Sequence, residues 1–198
     1  MPYVVTVDQR GSRRSTDRVA GLLPRLQRRF RTVLPFERTA GDEFQGLLDD
    51  GAAVVDLVLL LVREDVWSIG VGAGAVQAPL PASTRAATGP AFLAARRAVD
   101  AAKQRPSHVA VRGAVAAEAG DAQAVLAALA GLVDRRSDEA WEAIAQVSSG
   151  RTQAQAAAEL GISRQAVGQR LSAARWDLEQ ELRPTAARLL ARAAGEAP

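Results

Sequence analysis

Hydrophobic positions follow two rhythms along this chain, and the change between them divides it. Over the first part, β-branched runs with strand-like alternation are interleaved with helical stretches; beyond about residue 118 the strand signal disappears. Residues 3–7 predict a strand ending at Asp8, then a loop over 9–15 and a helix to about Arg31. Pro24 inside that helix predicts a kink or a later start. Residues 36–39 and 43–48 predict two strands around a Gly41-Asp42 hairpin turn. Gly51–Arg63 is nearly all apolar and predicts a well-buried helix. Residues 66–76 alternate and are glycine-rich, as in a strand closely approached by another backbone. A loop over 79–89, a helix over 90–103 and a strand over 108–115 come next. The order is β-α-β-β-α-β, then a helix and a strand. It predicts an α+β protein whose ferredoxin-like sandwich carries additions.

The remainder is helical. Residues 122–135 place Val125, Leu126, Leu129, Leu132 and Val133 on one face, which can connect or dimerise domains. Ser137 caps a further helix, whose Trp141, Ile144 and Ala145 can pack under the helices C-terminal to it. The predicted organisation is an α/β domain over 1–117, a connecting helix over 118–135 and a helical domain over 136–185. A tail over 186–198 is expected to fray.

Within the helical domain, residues 151–176 carry the densest set of local signals. Thr152 and Gln155 form a capping box, and Gly161 suits a left-handed helix end. Ser163 caps the next helix after a three-residue corner, Gly161-Ile162-Ser163. Leu160, Ile162, Val167, Leu171, Ala174 and Leu178 supply an apolar stripe at helical spacing. An ordinary helical hairpin would need only the corner. The conjunction of caps, corner and polar outer face predicts a helix-turn-helix that reads double-stranded DNA. The candidate DNA-binding residues are Thr152, Ser163, Arg164, Gln165, Gly168, Gln169 and Arg170.

Composition narrows the remaining possibilities. The chain has 198 residues, of which 48% are hydrophobic, enough for one or two modest cores. It has no cysteine and one histidine, His108, so disulfides and Cys- or His-rich metal sites are excluded. His108 has no partner of its kind and reads as structural. The net charge is only +3, so DNA affinity must come from a shaped reading element rather than from bulk charge. A homodimer on paired half-sites is expected. No signal peptide is recognisable, and the apolar run at 52–62 carries Asp56 and is too short to span a bilayer. A cytoplasmic protein without membrane association is expected. Trp67, Trp141 and Trp176 read as packing residues; Trp176 lies off the stripe, where it can meet another subunit.

Two segments of the α/β unit carry candidate chemistry, residues 4–14 (VVTVDQRGSRR) and 40–48 (AGDEFQGLL). In a ferredoxin-like sheet, Asp8 at the end of the first strand approaches Asp42 at the hairpin turn. Paired carboxylates there suit Mg²⁺ or Mn²⁺, which favour oxygen ligands and phosphates. Gln9 adds a carbonyl, Gly11 and Ser12 offer amides to a phosphate, and Arg13 and Arg14 supply charge. An equally simple account leaves Asp42 shaping a turn, Asp8 ending a strand and the arginines solvated.

These segments, with WSIGVGAGAV and TGPAFLAARRAV further on, resemble the SatD family, whose members carry similar blocks in the same order, often succeeded by a helix-turn-helix. GRTQAQAAAELGISRQAVGQRL is similar to the corresponding motif of bacterial regulators and of promoter-reading sigma factors. The α/β blocks also look like a distant version of the class III nucleotidyl cyclase and GGDEF folds. That resemblance implies metal ligation by Asp8 and Asp42, with Glu43 in the next acidic place, and nucleotide contact by Arg97. Leu93 falls where those cyclases carry a transition-state asparagine, Ala40 replaces the first Gly of GGDEF, and Thr88 and Val7 replace polar or small residues of the SatD blocks. Losing donors aimed at developing charge weakens the case for turnover more than for binding. Three readings remain: a DNA-binding regulator that senses a nucleotide with a divalent metal, an active nucleotidyl cyclase or related phosphoryl-transfer enzyme, and a dimerisation scaffold fused to a DNA-binding domain.

Overall fold

A computed structural model describes residues 1–12 and 16–195. It is a mixed α/β structure with one five-stranded sheet: β1 (Tyr3–Gln9), β2 (Leu34–Ala40), β3 (Glu43–Leu48), β4 (Trp67–Ala73) and β5 (Val109–Gly113). Helices α1 (Val19–Arg29), α2 (Gly51–Arg63) and α3 (Pro90–Ala102) join them, and α4 (Ala116–Asp134), α5 (Asp138–Ser148), α6 (Gln153–Leu160), α7 (Arg164–Ala173) and α8 (Trp176–Ala193) complete the chain. The strand order is β2-β3-β1-β4-β5, antiparallel except for the parallel β4–β5 pair. α1 runs through Pro24 from Val19, because the proline lies on its exposed side while Val19, Leu22 and Leu26 anchor the other.

The strands alternate, so each row of side chains belongs to one face. One face is apolar except at the end of β1, where Gln9 stands beside Trp67. Val5, Val7, Phe44, Ile69, Val71, Val109 and Val111 lie on this face in one core beneath α1, α2, α4 and α8. Phe30, Phe36, Phe44 and Trp67 cross it in successive edge-to-face contacts, with centroids 6.4, 6.3 and 5.8 Å apart. The opposite face is graded. Its rows run from Leu47–Val4–Gly72, through Gln45–Thr6–Gly70, to Glu43–Asp8–Ser68 at the end where β1 finishes.

α3 covers that graded face over β1, β4 and β5, with the segment around residues 84–87 over β2 and β3, and α3 lies directly on glycine. A Cβ at Gly70 would stand 2.2 Å from the Val99 amide nitrogen, and one at Gly72 2.1 Å from the Ala91 carbonyl oxygen. The close backbone approach expected from the glycine-rich strand is therefore present, with Ala91, Ala95 and Ala98 supplying the matching small surface. It brings the polar side chains of α3 down onto the acidic row.

Several expectations for the C-terminal part change. α4 begins at Ala116 and buries Ala119, Ala122, Leu126, Leu129, Ala130 and Val133 in the sheet core, so it is a covering layer rather than a connector. It is the one helix among the described residues long and apolar enough to cross a bilayer by length and composition. The frayed tail is a structural element as far as Gly195: Ala186, Leu190 and Ala193 of α8 are fully buried in the same core. A Cβ at Gly113 would meet the Ala193 carbonyl oxygen at 2.4 Å, so the end of α8 sits on bare backbone. The chain thus returns to the sheet at its end, and α8 belongs to the sheet core rather than to a tail.

Helices α5, α6 and α7 build a second cluster of Ala140, Ala143, Ile144, Ala156, Ala157, Val167, Leu171 and Ala174. Ala143 takes the place expected of Ala145, which is exposed. The apolar stripe stops at Ala174: Arg175 adopts a left-handed φ of 51°, α8 starts in a new direction, and Leu178 is 43% exposed. Trp176 is half-buried and packs against this cluster.

A buried ion pair joins the two clusters. Arg136 and Glu179 have side chains 1% exposed and in contact. Arg136 also donates from Nε and Nη2 to the Ala174 carbonyl, at 3.1 and 3.0 Å, capping the end of α7. Glu179 accepts from Arg183 Nε at 2.7 Å, and Arg183 reaches Asp56 on α2. Trp141 lies under the guanidinium groups of both Arg63 and Arg136, at 4.1 and 4.9 Å from its ring centroid. Removing one partner leaves the other charge buried, so Arg136→Met or Glu179→Leu alone should cost about 3–5 kcal/mol. Urea denaturation of the Arg136→Met/Glu179→Leu double variant should show a smaller loss than the two single losses added together. Plain additivity would mean the charges are not coupled.

Candidate functional site

The acidic row opens into a cleft of about 720 Å³ at the end of β1, lined by Asp8, Gln9, Arg10, Gly11, Ser12, Asp42, Ser68 and Lys103. Sheet register makes it. Asp8 pairs with Glu43 on one side and Ser68 on the other, and the Gln9 amide donates to the Asp42 carbonyl at 3.1 Å. Asp8 and Asp42 therefore line one site, through the pairing of β1 with β3. The Gln9 side chain is turned to its own loop, donating to the Thr16 carbonyl at 2.8 Å and accepting from the Arg18 amide at 2.9 Å. Arg38 closes the rim by donating to both Asp17 oxygens, at 2.8 and 2.6 Å, and to the Gly41 carbonyl at 2.7 Å.

Other expected residues are placed elsewhere. Glu43 is buried, accepts from Thr39 Oγ1 at 2.6 Å and pairs with Arg96 at 3.1 Å, so its carboxylate is already neutralised. Arg97 is exposed on α3 and does not line the cleft, and Leu93 is 63% exposed. Arg13 and Arg14 lie outside the described residues.

The structure adds three groups that sequence reasoning missed. Lys103 at the end of α3 pairs with Asp8 at 3.0 Å. Partial burial works against its charge. The hydrogen bond and charge of Asp8, with Asp100 and Glu43 behind, outweigh that and hold the ammonium above its usual range. Ser68, 1% exposed, has a buried Oγ without a hydrogen-bond partner among the described residues. Arg10 lines the cleft from the end of the strand. The one available signal was that Lys103 is the chain's only lysine.

The donor set suits a hard divalent cation only in part. Asp8, Asp42 and Ser68 Oγ are oxygen donors, and two carboxylates with phosphate oxygens and water can hold Mg²⁺. Glu43 does not fit, being engaged by Arg96 and Thr39. No group of three or more His, Cys, Asp or Glu side chains placed to hold a metal occurs among the described residues.

At the other end of the molecule, α6 and α7 meet at Gly161, whose φ is 65°. The Thr152–Gln155 capping box is complete and Ser163 accepts from the Ala166 amide at 3.1 Å, so these two residues cap helices. Arg164, Gln165, Gly168 and Gln169 line a shallow open depression with Gln153 and Ser172. Arg164, Gln165 and Gln169 are exposed, and their side chains make no hydrogen bond or ion pair among the described residues. Arg170 is turned inward, pairing with Glu142 on α5 at 3.2 Å.

The SatD family model matches residues 5–193, which takes in the sheet, the cleft and all the C-terminal helices. The chain belongs to the SatD family. No curated protein and no solved structure matches it. In this SatD-family chain the matched region ends at the last residue of α8, in keeping with the burial of α8 in the sheet core.

The Arg38–Asp17 contact beside the hairpin turn is sensitive to acid. Its hydrogen bond holds the Asp17 carboxyl below the ordinary value of 3.8. A lowered carboxyl value stabilises the fold above the unfolded value, and that contribution is lost as pH falls through the folded one. Asp17→Asn should therefore lower stability slightly at neutral pH and make no difference in strong acid, a crossover that urea titrations at several pH values will read.

Proposed function

We propose that this SatD-family protein is a cytoplasmic DNA-binding regulator. In this reading α6 and α7 are a helix-turn-helix, and a ferredoxin-like, cyclase-like sheet domain takes a nucleotide with Mg²⁺ or Mn²⁺. The observation that carries it is the outer face of α7. Three long polar side chains project there unpartnered, beside a glycine that allows close approach of a groove wall. Side chains left free at the start of a second helix are those that reach base edges when that helix lies in a major groove. A homodimer would present two such helices to paired half-sites.

The cleft supports the sensing part. Its oxygen donors face Lys103, Arg10 and the backbone of Gly11 and Ser12, a combination suited to a polyphosphate. A bound divalent cation would supply charge neutralisation for the phosphates. Asp8 and Asp42 would hold it, and Lys103 and Arg10 would contact phosphate oxygens. Binding that favours one arrangement of α3 over another can reach α7 through the shared core and the Arg136 joint.

Arg164→Ala or Gln169→Ala should weaken binding to a selected duplex by about 1–3 kcal/mol, with unchanged thermal stability. Arg170→Ala should act mainly through its contact with α5. A double Arg164→Ala/Gln169→Ala variant that shifts the duplex like wild type would rule out α7 as the reading helix. Calorimetry with nucleoside triphosphates and Mn²⁺ should show binding that Asp42→Asn removes; equal heats from both proteins would rule out the cleft.

A further inference from the structure

Both carboxylates of the acidic row are answered by cations of α3. Arg96 pairs with Glu43 at 3.1 Å, and Lys103 with Asp8 at 3.0 Å. The two pairs differ in their surroundings. Glu43 is buried, is also held by Thr39 and lies outside the cleft lining, whereas Asp8 and Lys103 both line the cleft. Asp42, the other carboxylate there, has no ion pair among the described residues. Arg10 also lines the cleft but is committed to Asp65, which lies outside it. Lys103 is therefore the cation that offsets the cleft's own carboxylates.

The Lys103–Asp8 pair is placed where it can exchange partners. Lys103 stands at the C-terminal cap of α3, so its flexible stem pivots on the end of the helix rather than within a packed row. Its side chain is 38% exposed, and Asp100, one turn back, offers a second carboxylate at 3.8 Å. Lysine pairs with this much access to water are weak. Beside Asp8 in the sheet register, the Ser68 hydroxyl is closed off and without a partner while Lys103 holds Asp8. A buried hydroxyl ordinarily finds a partner, so this end of the row is chemically unfinished.

Electrostatics decides what the ammonium does to the site. A divalent cation held by Asp8 would lie within a few ångström of Lys103 Nζ. Like charges so close repel enough to weaken binding about tenfold or more, even in a well-solvated cleft. Phosphate oxygens reverse the preference, because a polyanion offers the ammonium a stronger partner than one carboxylate does.

We propose that Lys103 is a tethered counter-cation that competes with the divalent ion for Asp8, and that the phosphates of a nucleotide release Asp8 by taking the ammonium. This rests on the reading of the cleft as a nucleotide and metal site, and adds its regulation. Metal alone binds weakly, phosphate opens the carboxylate to it, and by linkage each favours the other.

The test uses Mn²⁺ alone on the full chain, followed by electron paramagnetic resonance of the free ion. Lys103→Met, which keeps the stem and removes the charge, should bind Mn²⁺ about tenfold or more tighter than wild type. Lys103→Arg should stay with wild type, since the charge is what competes. The gain should disappear in Lys103→Met/Asp8→Asn, which assigns it to Asp8 rather than to a general fall in positive charge. Tripolyphosphate without metal should show the opposite order, wild type binding more tightly than Lys103→Met. Equal Mn²⁺ affinity in Lys103→Met and wild type would overturn the proposal. So would a gain that survives Asp8→Asn, or tripolyphosphate binding that Lys103→Met leaves unchanged. Nucleotide heats that still depend on Asp42 alongside any of those results would leave the cleft reading standing, so the two can fail separately.

Discussion

The contact between Arg136 and Glu179 decides how the C-terminal helices sit on the sheet. Taking both charges out of water is expensive, and the surroundings offset that cost with several hydrogen bonds, although Arg136 Nη1 stays without a partner among the described residues. The Ala174 carbonyl accepts two N–H groups of Arg136, Arg183 supports Glu179, and Trp141 and Trp176 lie beside the guanidinium. Because Ala174 ends α7, the arginine that satisfies its carbonyl also fixes where the outer face of α7 points. Because Arg183 reaches Asp56 on α2, that orientation is referred to the sheet core. A frayed α8 would lose Glu179 and Arg183 together. The burial of Ala186, Leu190 and Ala193 is therefore a condition for the joint.

The sheet makes a second constraint by treating its two faces differently. The apolar face can accept four helices. The graded face takes α3, which sinks onto the glycines of β4 and packs its alanines beside Val4, Leu47 and Ala110. Seating α3 on Gly70 and Gly72 leaves the Glu43–Asp8–Ser68 row uncovered by apolar atoms and places Arg96 and Lys103 over it. The cleft is what remains when helix packing ends one row short of the end of β1.

What the sequence disclosed tracked the range of the interactions. Thr152, Gln155, Gly161 and Ser163 act within three or four residues, and each has the predicted local role. Gly70 and Gly72 announced a close approach, though not which helix would make it. The Asp8–Asp42 meeting was legible because the expected sheet order lays the first strand beside the hairpin, and β1 does pair with β3. Lys103 and Arg96 were not, since only tertiary packing sets their distance from the acidic row. α8 was hidden for a related reason. Its alanines look weakly hydrophobic in isolation, yet they pack against the bare backbone of Gly51 and Gly113. The stripe was extended to Leu178 because periodicity alone cannot register the left-handed turn at Arg175.

If the face of α7 reads DNA under the control of the sheet domain, binding must be both sequence-selective and nucleotide-dependent. The most direct measurement is selection of bound duplexes from a random pool, with and without nucleoside triphosphate and Mn²⁺. The expected result is an enriched sequence arranged as two half-sites about one helical turn apart, its recovery changed by nucleotide. Recovery of no enriched sequence under either condition would contradict it.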